Sequence, residues 1–276
     1  MKYYLETNAL RALGKAINKK SEILKYSYTS MFSLFEIYRG IDRKSPASEE
    51  SQKRSAILSN LSESDLQFLQ YMPNEMIQLG FTGEVVLCDS MVMQYALKLQ
   101  RMESELDEEL LDALIKSYED CKIAFNEIIR RTYNVRPPEK EIVQITNLDD
   151  YIIPFNEGKQ ISQSRMAHPS HHVMDILKDD ASIDLFRAHN KTSSKSNGDI
   201  VESYKGTHDI FFFVLFGYNL MKSAKGGMAK RNDLYDLFHT LYLYDREQIM
   251  VTNDTLLQEL LPSINVMTVE DFRKLM

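Results

Sequence analysis

Short apolar runs that break off at polar residues and give way to a helical period occur at both ends of this chain. Near the N-terminus, Tyr3 to Leu5 stops at Glu6-Thr7-Asn8, after which Ala9, Leu10, Ala12, Leu13 and Ile17 recur at helical spacing. The pattern reads as strand, polar turn and helix. Thr7 or Asn8 suits the N-cap, because a short polar side chain there accepts from an unpaired first-turn N–H. Tyr26 to Thr29 predicts a second strand, and Ser30 opens a helix carrying Phe32, Phe35, Ile37 and Tyr38 that Gly40 closes. Toward the other end the pattern predicts a helix over Asn232 to Tyr244 and a strand over Ile249 to Val251. A helix over Leu256 to Leu261, stopped at Pro262, leads to a strand over Ile264 to Thr268 and a terminal helix from Val269. Alternation of this kind favours a parallel sheet. The expected fold is therefore a three-layer α/β domain with a short parallel sheet of four or five strands drawn from both termini.

The middle of the chain reads differently. From Ser48 to about Tyr133, stretches such as Glu75 to Phe81, Ser90 to Met102 and Leu110 to Arg131 carry apolar residues three and four apart, and no strand signal competes. Pro137-Pro138 ends this block, and Glu141 to Ile145 suits one more strand. The expected organisation is a discontinuous α/β core, residues 1–45 and 226–276, interrupted by a mainly helical insertion, 46–225, with a polar loop near 156–200. Within that loop, Lys191 to Asp199 has the composition of an exposed connection. Ile210 to Leu220 is the most apolar stretch, but it is shorter than the roughly 20 residues a membrane span needs and reads as a buried helix or strand.

Glu6, Thr7 and Asn8 interrupt any signal-peptide core, and Cys88 and Cys121 are too few for a secreted disulfide framework, so the expected location is cytoplasmic and no membrane is involved. A formal net charge of -7 argues against a surface that is basic throughout, so any nucleic-acid contact must be local. His168, His171 and His172 are close in sequence but lack nearby cysteines to complete a zinc site. Arg130-Arg131 and the group Lys222, Lys225, Lys230 and Arg231 supply cations that suit phosphate contacts, though exposed Lys and Arg are the norm.

In an open α/β sheet, ligands bind beyond the carboxyl ends of the strands, which directs attention to Glu6 after the first strand and to Thr252-Asn253-Asp254 after the strand ending at Val251. Turn and capping preferences account for each of these taken singly. Two helices add acids: Glu36 interrupts an apolar face, and Asp233 and Asp236 lie three apart near a helix start, on one face. Carboxylates gathered in one crevice repel one another unless a hard divalent cation neutralises them, and Mg²⁺ or Mn²⁺ suits ligands that are all oxygen. Such ions activate water for attack on a phosphodiester.

The arrangement resembles the PIN-domain nucleases. The likeness rests on Tyr3 to Asn8 (YYLETN), on the SYTSMFSLFEIYRG stretch ending at Gly40, and on Asn232 to Asp254. Family members show a strand ending in Leu-Asp-Thr-Asn, a Glu on a following helix, an Asp opening a later helix and a Thr-x-Asp after the next strand. The resemblance implies that Glu6, Glu36, Asp236 and Asp254 are the catalytic and metal-holding residues. Asn8, Asp233 and Thr252 would support them. It also implies a Mg²⁺- or Mn²⁺-dependent endoribonuclease with an RNA substrate, in a family whose small members often have an antitoxin as protein partner. A homodimer is a further expectation. Glu6 stands where the family has Asp, one methylene and about 1.5 Å longer. That departure supports the alternative of a catalytically impaired PIN-like module that binds RNA or another protein. His239, one turn beyond Asp236, is expected to pack or hydrogen-bond near the acids.

Overall fold

A computed structural model describes residues 1–18, 21–41, 45, 47–88, 179–187, 190–224 and 231–276. The N-terminal part runs β1 (Tyr3–Leu5), α1 (Thr7–Leu13), a 3-10 turn (Gly14–Asn18), α2 (Glu22–Lys25), β2 (Ser27–Ser30), α3 (Met31–Arg39), α4 (Glu49–Ser62), β3 (Gln67–Leu69) and α5 (Pro73–Thr82). After a helical segment at 179–187 come α6 (Asn197–Ser203), α7 (Asp209–Ala224), α8 (Arg231–Phe238) and a second 3-10 turn (His239–Tyr242). The chain finishes with β4 (Ile249–Val251), α9 (Thr255–Leu260), β5 (Val266–Met267) and α10 (Val269–Leu275).

The five strands form one sheet in the order β3-β2-β1-β4-β5, and every pairing is parallel. From β1 the chain builds outward through β2 to β3 on one side and through β4 to β5 on the other. The point where this direction reverses lies between β1 and β4, the place beyond whose strand ends open α/β sheets bind their ligands. Leu5 pairs with Val251, so Glu6 and Thr252 emerge from the sheet side by side.

Successive side chains of a strand face opposite ways, and on β1 both directions meet helical cover. Tyr3 meets Phe272 of α10 edge-on at 5.5 Å between ring centroids, while Tyr4 stacks on Tyr242 at 5.4 Å. A sheet covered on both faces is compatible with a three-layer α/β fold. Burial on both sides also explains why the strands are apolar or hydroxyl-bearing without charge: Tyr3, Tyr4, Leu5, Ser27, Tyr28, Thr29, Ser30, Ile249, Met250 and Val251 are all buried.

Several local expectations change. The cap of α1 is Glu6, whose carboxylate accepts from the N–H groups of Asn8 and Ala9, and not Thr7 or Asn8. β3 lies in the stretch that read as purely helical: with three residues it is too short to show a period, and pairing with β2 makes it a strand. The sheet therefore reaches into the segment expected to be an insertion. Residues 179–187 and α6 replace part of the polar loop expected near 156–200; Leu185, Phe186 and Ile200 are buried, and Ser196 and Asp199 cap α6 reciprocally. The helix expected over Asn232 to Tyr244 ends as α8 at Phe238 and tightens into a 3-10 turn. Ser30 caps α3, accepting from the N–H of Ser33 at 3.2 Å, and Gly40 ends that helix, as read from the sequence. Ser90 to Met102, Leu110 to Arg131, Glu141 to Ile145, Cys121, the clustered histidines and Arg130-Arg131 lie outside the described residues.

Among the described residues no helix is long and apolar enough to cross a membrane. The apolar stretch Ile210 to Leu220 is part of α7, with Phe211, Val214 and Tyr218 fully buried.

Candidate functional site

Each of the four acids is delivered by a different element. Glu6 follows β1, Glu36 lies on α3, Asp236 lies on α8, and Asp254 follows β4 as the cap of α9. Burial and then the Asp254 carboxylate, with Glu36 and Glu6 adding to them against His239, push the Asp236 carboxyl up to about 7. Asp236 thus lies within electrostatic reach of the three other acids of the sequence reading.

Glu6 is 1% exposed. Its Oε2 accepts from the Asn8 N–H at 2.5 Å and its Oε1 from the Ala9 N–H at 2.9 Å. Burial raises its carboxyl above the usual range, while the charge of His239 and hydrogen bonds from Asn8, Thr252 and Ala9 offset part of that rise. Both carboxylate oxygens are thus spent on the first turn of α1. Thr252 ties two acids together: its hydroxyl bonds Glu6 and accepts from the Asp254 N–H at 2.9 Å. Asp254 in turn accepts from the Leu257 N–H at 3.0 Å.

Glu36 is held differently. Its Oε2 accepts from the Thr7 hydroxyl at 2.5 Å and lies 2.9 Å from His239 Nε2. His239 is 2% exposed, and its Nδ1 is 2.8 Å from the Tyr4 hydroxyl, which also lies 2.8 Å from Ser30 Oγ and 3.2 Å from Ser33 Oγ. Burial lowers the proton affinity of His239, but Glu36, Glu6 and Asp236 outweigh it and leave the imidazole above its ordinary value. Phe32, 4.8 Å from the His239 ring between centroids, closes the site from the core side.

Of the supporting residues, Thr252 is buried at the centre and Asn8 contributes its backbone N–H to Glu6. Asp233 instead accepts from the Tyr218 hydroxyl of α7 at 2.9 Å. Thr7 and Tyr4 join the site without having stood out in the sequence, because a capping Thr and a strand Tyr are explained by local structure alone. The period-two reading of β1 carries the only clue to Tyr4, since it sets that side chain on the face opposite Tyr3 and Leu5.

Among the described residues no three His, Cys, Asp or Glu side chains form a ready-made ligand group for a metal ion. The reason is visible in the bonds above: Glu6 is turned toward the helix backbone, Glu36 toward Thr7 and His239, and Asp254 toward Leu257. The donor set is nevertheless all carboxylate. Each ionised carboxylate offers about four lone-pair directions, more than the hydrogen bonds just described use on Glu6, Glu36 or Asp254. The residues therefore fit a hard divalent cation chemically, given side-chain turns at Glu6 and Glu36.

Fold and site together define an α/β protein with an all-parallel five-stranded sheet and an acidic cluster at the point where its strand order reverses. Comparisons with protein-family models, with curated proteins and with solved structures find no match.

Proposed function

We propose that this chain is a PIN-like, Mg²⁺- or Mn²⁺-dependent nuclease acting on RNA, with Glu6, Glu36, Asp236 and Asp254 around the metal. The observation that carries the proposal is geometric: Glu6 and the Thr252–Asp254 turn leave adjacent strands β1 and β4 side by side at the sheet's switch point, and Asp236 lies within electrostatic reach of Glu6, Glu36 and Asp254. Repulsion among carboxylates so placed is costly to maintain in a fold, and a divalent cation relieves it. RNA as substrate comes from the resemblance of the sequence motifs to the PIN-domain family.

A bound divalent ion would supply an acidified water and charge neutralisation for phosphodiester hydrolysis. The chain's own groups do the positioning. Thr7 and His239 fix one oxygen of Glu36. Thr252, beside Glu6, holds the Asp254 N–H with its hydroxyl. Tyr4 fixes the ring of His239 from below, as partners of a ring nitrogen commonly do.

A second reading, a PIN-like module that binds RNA or a protein partner without cutting, draws on the capping geometry of Glu6, whose two oxygens both serve α1. One experiment separates the two. Cleavage of a fluorescent single-stranded RNA is followed with Mn²⁺ or EDTA for the parent, Asp236→Asn and Glu6→Asp. Metal-dependent cleavage that Asp236→Asn abolishes establishes the nuclease, and a gain in Glu6→Asp identifies the longer acid as the handicap. No cleavage by any of the three, with RNA still bound, gives the binding module.

A further inference from the structure

A cleft of about 790 Å³ lies between α1 and α4, and at one end it is lined by Asn8, Asn253 and Asp254, so it opens directly onto the acidic cluster. The charge of its walls is the reverse of that cluster's. Arg11, Lys15, Lys53 and Arg54 line it, against the carboxylates Glu50 and Asp254. In a chain of net charge -7, this cleft sets four cations beside the acids.

The four cations are not equivalent. Arg54 is structural: its Nη1 donates to the Glu36 carbonyl at 3.0 Å and the Ile37 carbonyl at 3.4 Å at the end of α3, over Gly40, where a Cβ would collide with the guanidinium. Lys53 pairs with Glu49 at 2.5 Å. Arg11 meets only one Glu50 oxygen, at 3.0 Å, which it shares with Arg54 at 2.7 Å. Lys15 has no ion-pair partner among the described residues. Asn8 and Arg11 share one face of α1, and Lys15 follows just past Gly14, whose positive φ ends that helix; all three line the cleft.

We propose that this cleft is a track for the backbone phosphates of a single-stranded polynucleotide, with Arg11 and Lys15 holding phosphates beside the one presented to Glu6, Glu36, Asp236 and Asp254. The proposal rests on the nuclease reading and adds where the strand lies. Arg11 and Lys15 are the cations with capacity to spare, and a phosphate arriving at Arg11 leaves Glu50 still satisfied by Arg54. Asn8 and Asn253, at the mouth of the cleft, are neutral and do not repel the strand as it turns toward the acids. Side chains that grip phosphates in this way position a strand without reading its sequence.

The test measures binding apart from cutting. The full chain is titrated with a fluorescein-labelled single-stranded RNA of twelve nucleotides in EDTA, read by anisotropy at several salt concentrations, for the parent, Arg11→Gln with Lys15→Gln, and Arg11→Lys. The double variant should bind about tenfold more weakly whatever the RNA sequence, with a salt slope smaller by about 1.4, that is, about 0.7 for each of the two phosphates no longer neutralised. Arg11→Lys should keep most of the affinity, and circular dichroism should show the double variant folded, because both side chains are on the surface. Equal binding by parent and double variant, or no binding by the parent, overturns the track. Competition by polyglutamate as effective as competition by unlabelled RNA also overturns it and assigns the cleft to an acidic protein segment. Cleavage in Mn²⁺ is scored separately: weakened binding without cleavage in any protein removes the nuclease reading alone, and cleavage with unchanged binding removes the track alone.

Discussion

Acidification should destabilise the protein through His208, and the structure sets the size of the effect. This ring is fully buried at the start of α7. Its Nε2 lies 3.2 Å from the Ile77 carbonyl of α5 and therefore carries the hydrogen, while Nδ1 has no hydrogen-bond partner. Protonation would place a second N–H where nothing accepts it. Burial accordingly lowers the imidazole from its ordinary 6.5 to about 4, against the weaker opposing pull of the Ile77 and Met76 carbonyls and of Asp209. The folded value lies below the unfolded one, so between them the unfolded chain binds more protons and stability falls as pH falls. The contribution is intact above about pH 6.5 and fully lost below about pH 4, amounting to about 3 kcal/mol, of which about 2 kcal/mol disappears between pH 7 and pH 5. His239, whose affinity is shifted the other way, and the carboxylates also titrate in acid, so the measurement must be differential. Urea unfolding followed by circular dichroism, for the parent and His208→Gln at both pH values, isolates the one group. The stability advantage of the parent should shrink by about 2 kcal/mol at pH 5. A difference between the two proteins that stays constant across this range would contradict this account, and would mean that Nδ1 finds an acceptor when charged.

Three further outcomes follow from single contacts. Gly80→Ala should cost about 1–3 kcal/mol in urea unfolding, because the new Cβ would lie 2.3 Å from His208 Nε2 in a packed interior. Glu6→Gln should cost about 1–2 kcal/mol in the same measurement, since one amide oxygen must replace two carboxylate oxygens that cap α1. Tyr4→Phe keeps the ring stack on Tyr242 but strands His239 Nδ1, and should lower stability by about 1–3 kcal/mol, with a changed imidazole titration by nuclear magnetic resonance.

Elements whose cause is local were legible in the sequence alone. Tyr3 to Leu5 and Ile249 to Val251 are strands because apolar side chains stop at residues that cannot continue into a core, and Ser30 and Gly40 bound α3 because capping chemistry acts within one turn. The positions of Glu6, Thr252 and Asp254 just beyond strand ends could be read for the same reason. Where the cause is a distant partner, the outcome depends on the assembled fold. β3 is a strand because β2 offers an edge to pair with, and its three residues carry no period of their own. The orientation of Glu6 likewise follows from being 1% exposed: a carboxylate that deep must find donors, and the nearest are the first N–H groups of α1. His239 was legible as a neighbour of the acids through its helical spacing from Asp236, but its bridge from Tyr4 to Glu36 joins residues more than 200 positions apart. The cleft between α1 and α4 belongs to the same class. Its basic lining comes from two segments, each of which reads alone as ordinary solvated helix, and only their packing makes one surface beside the acids.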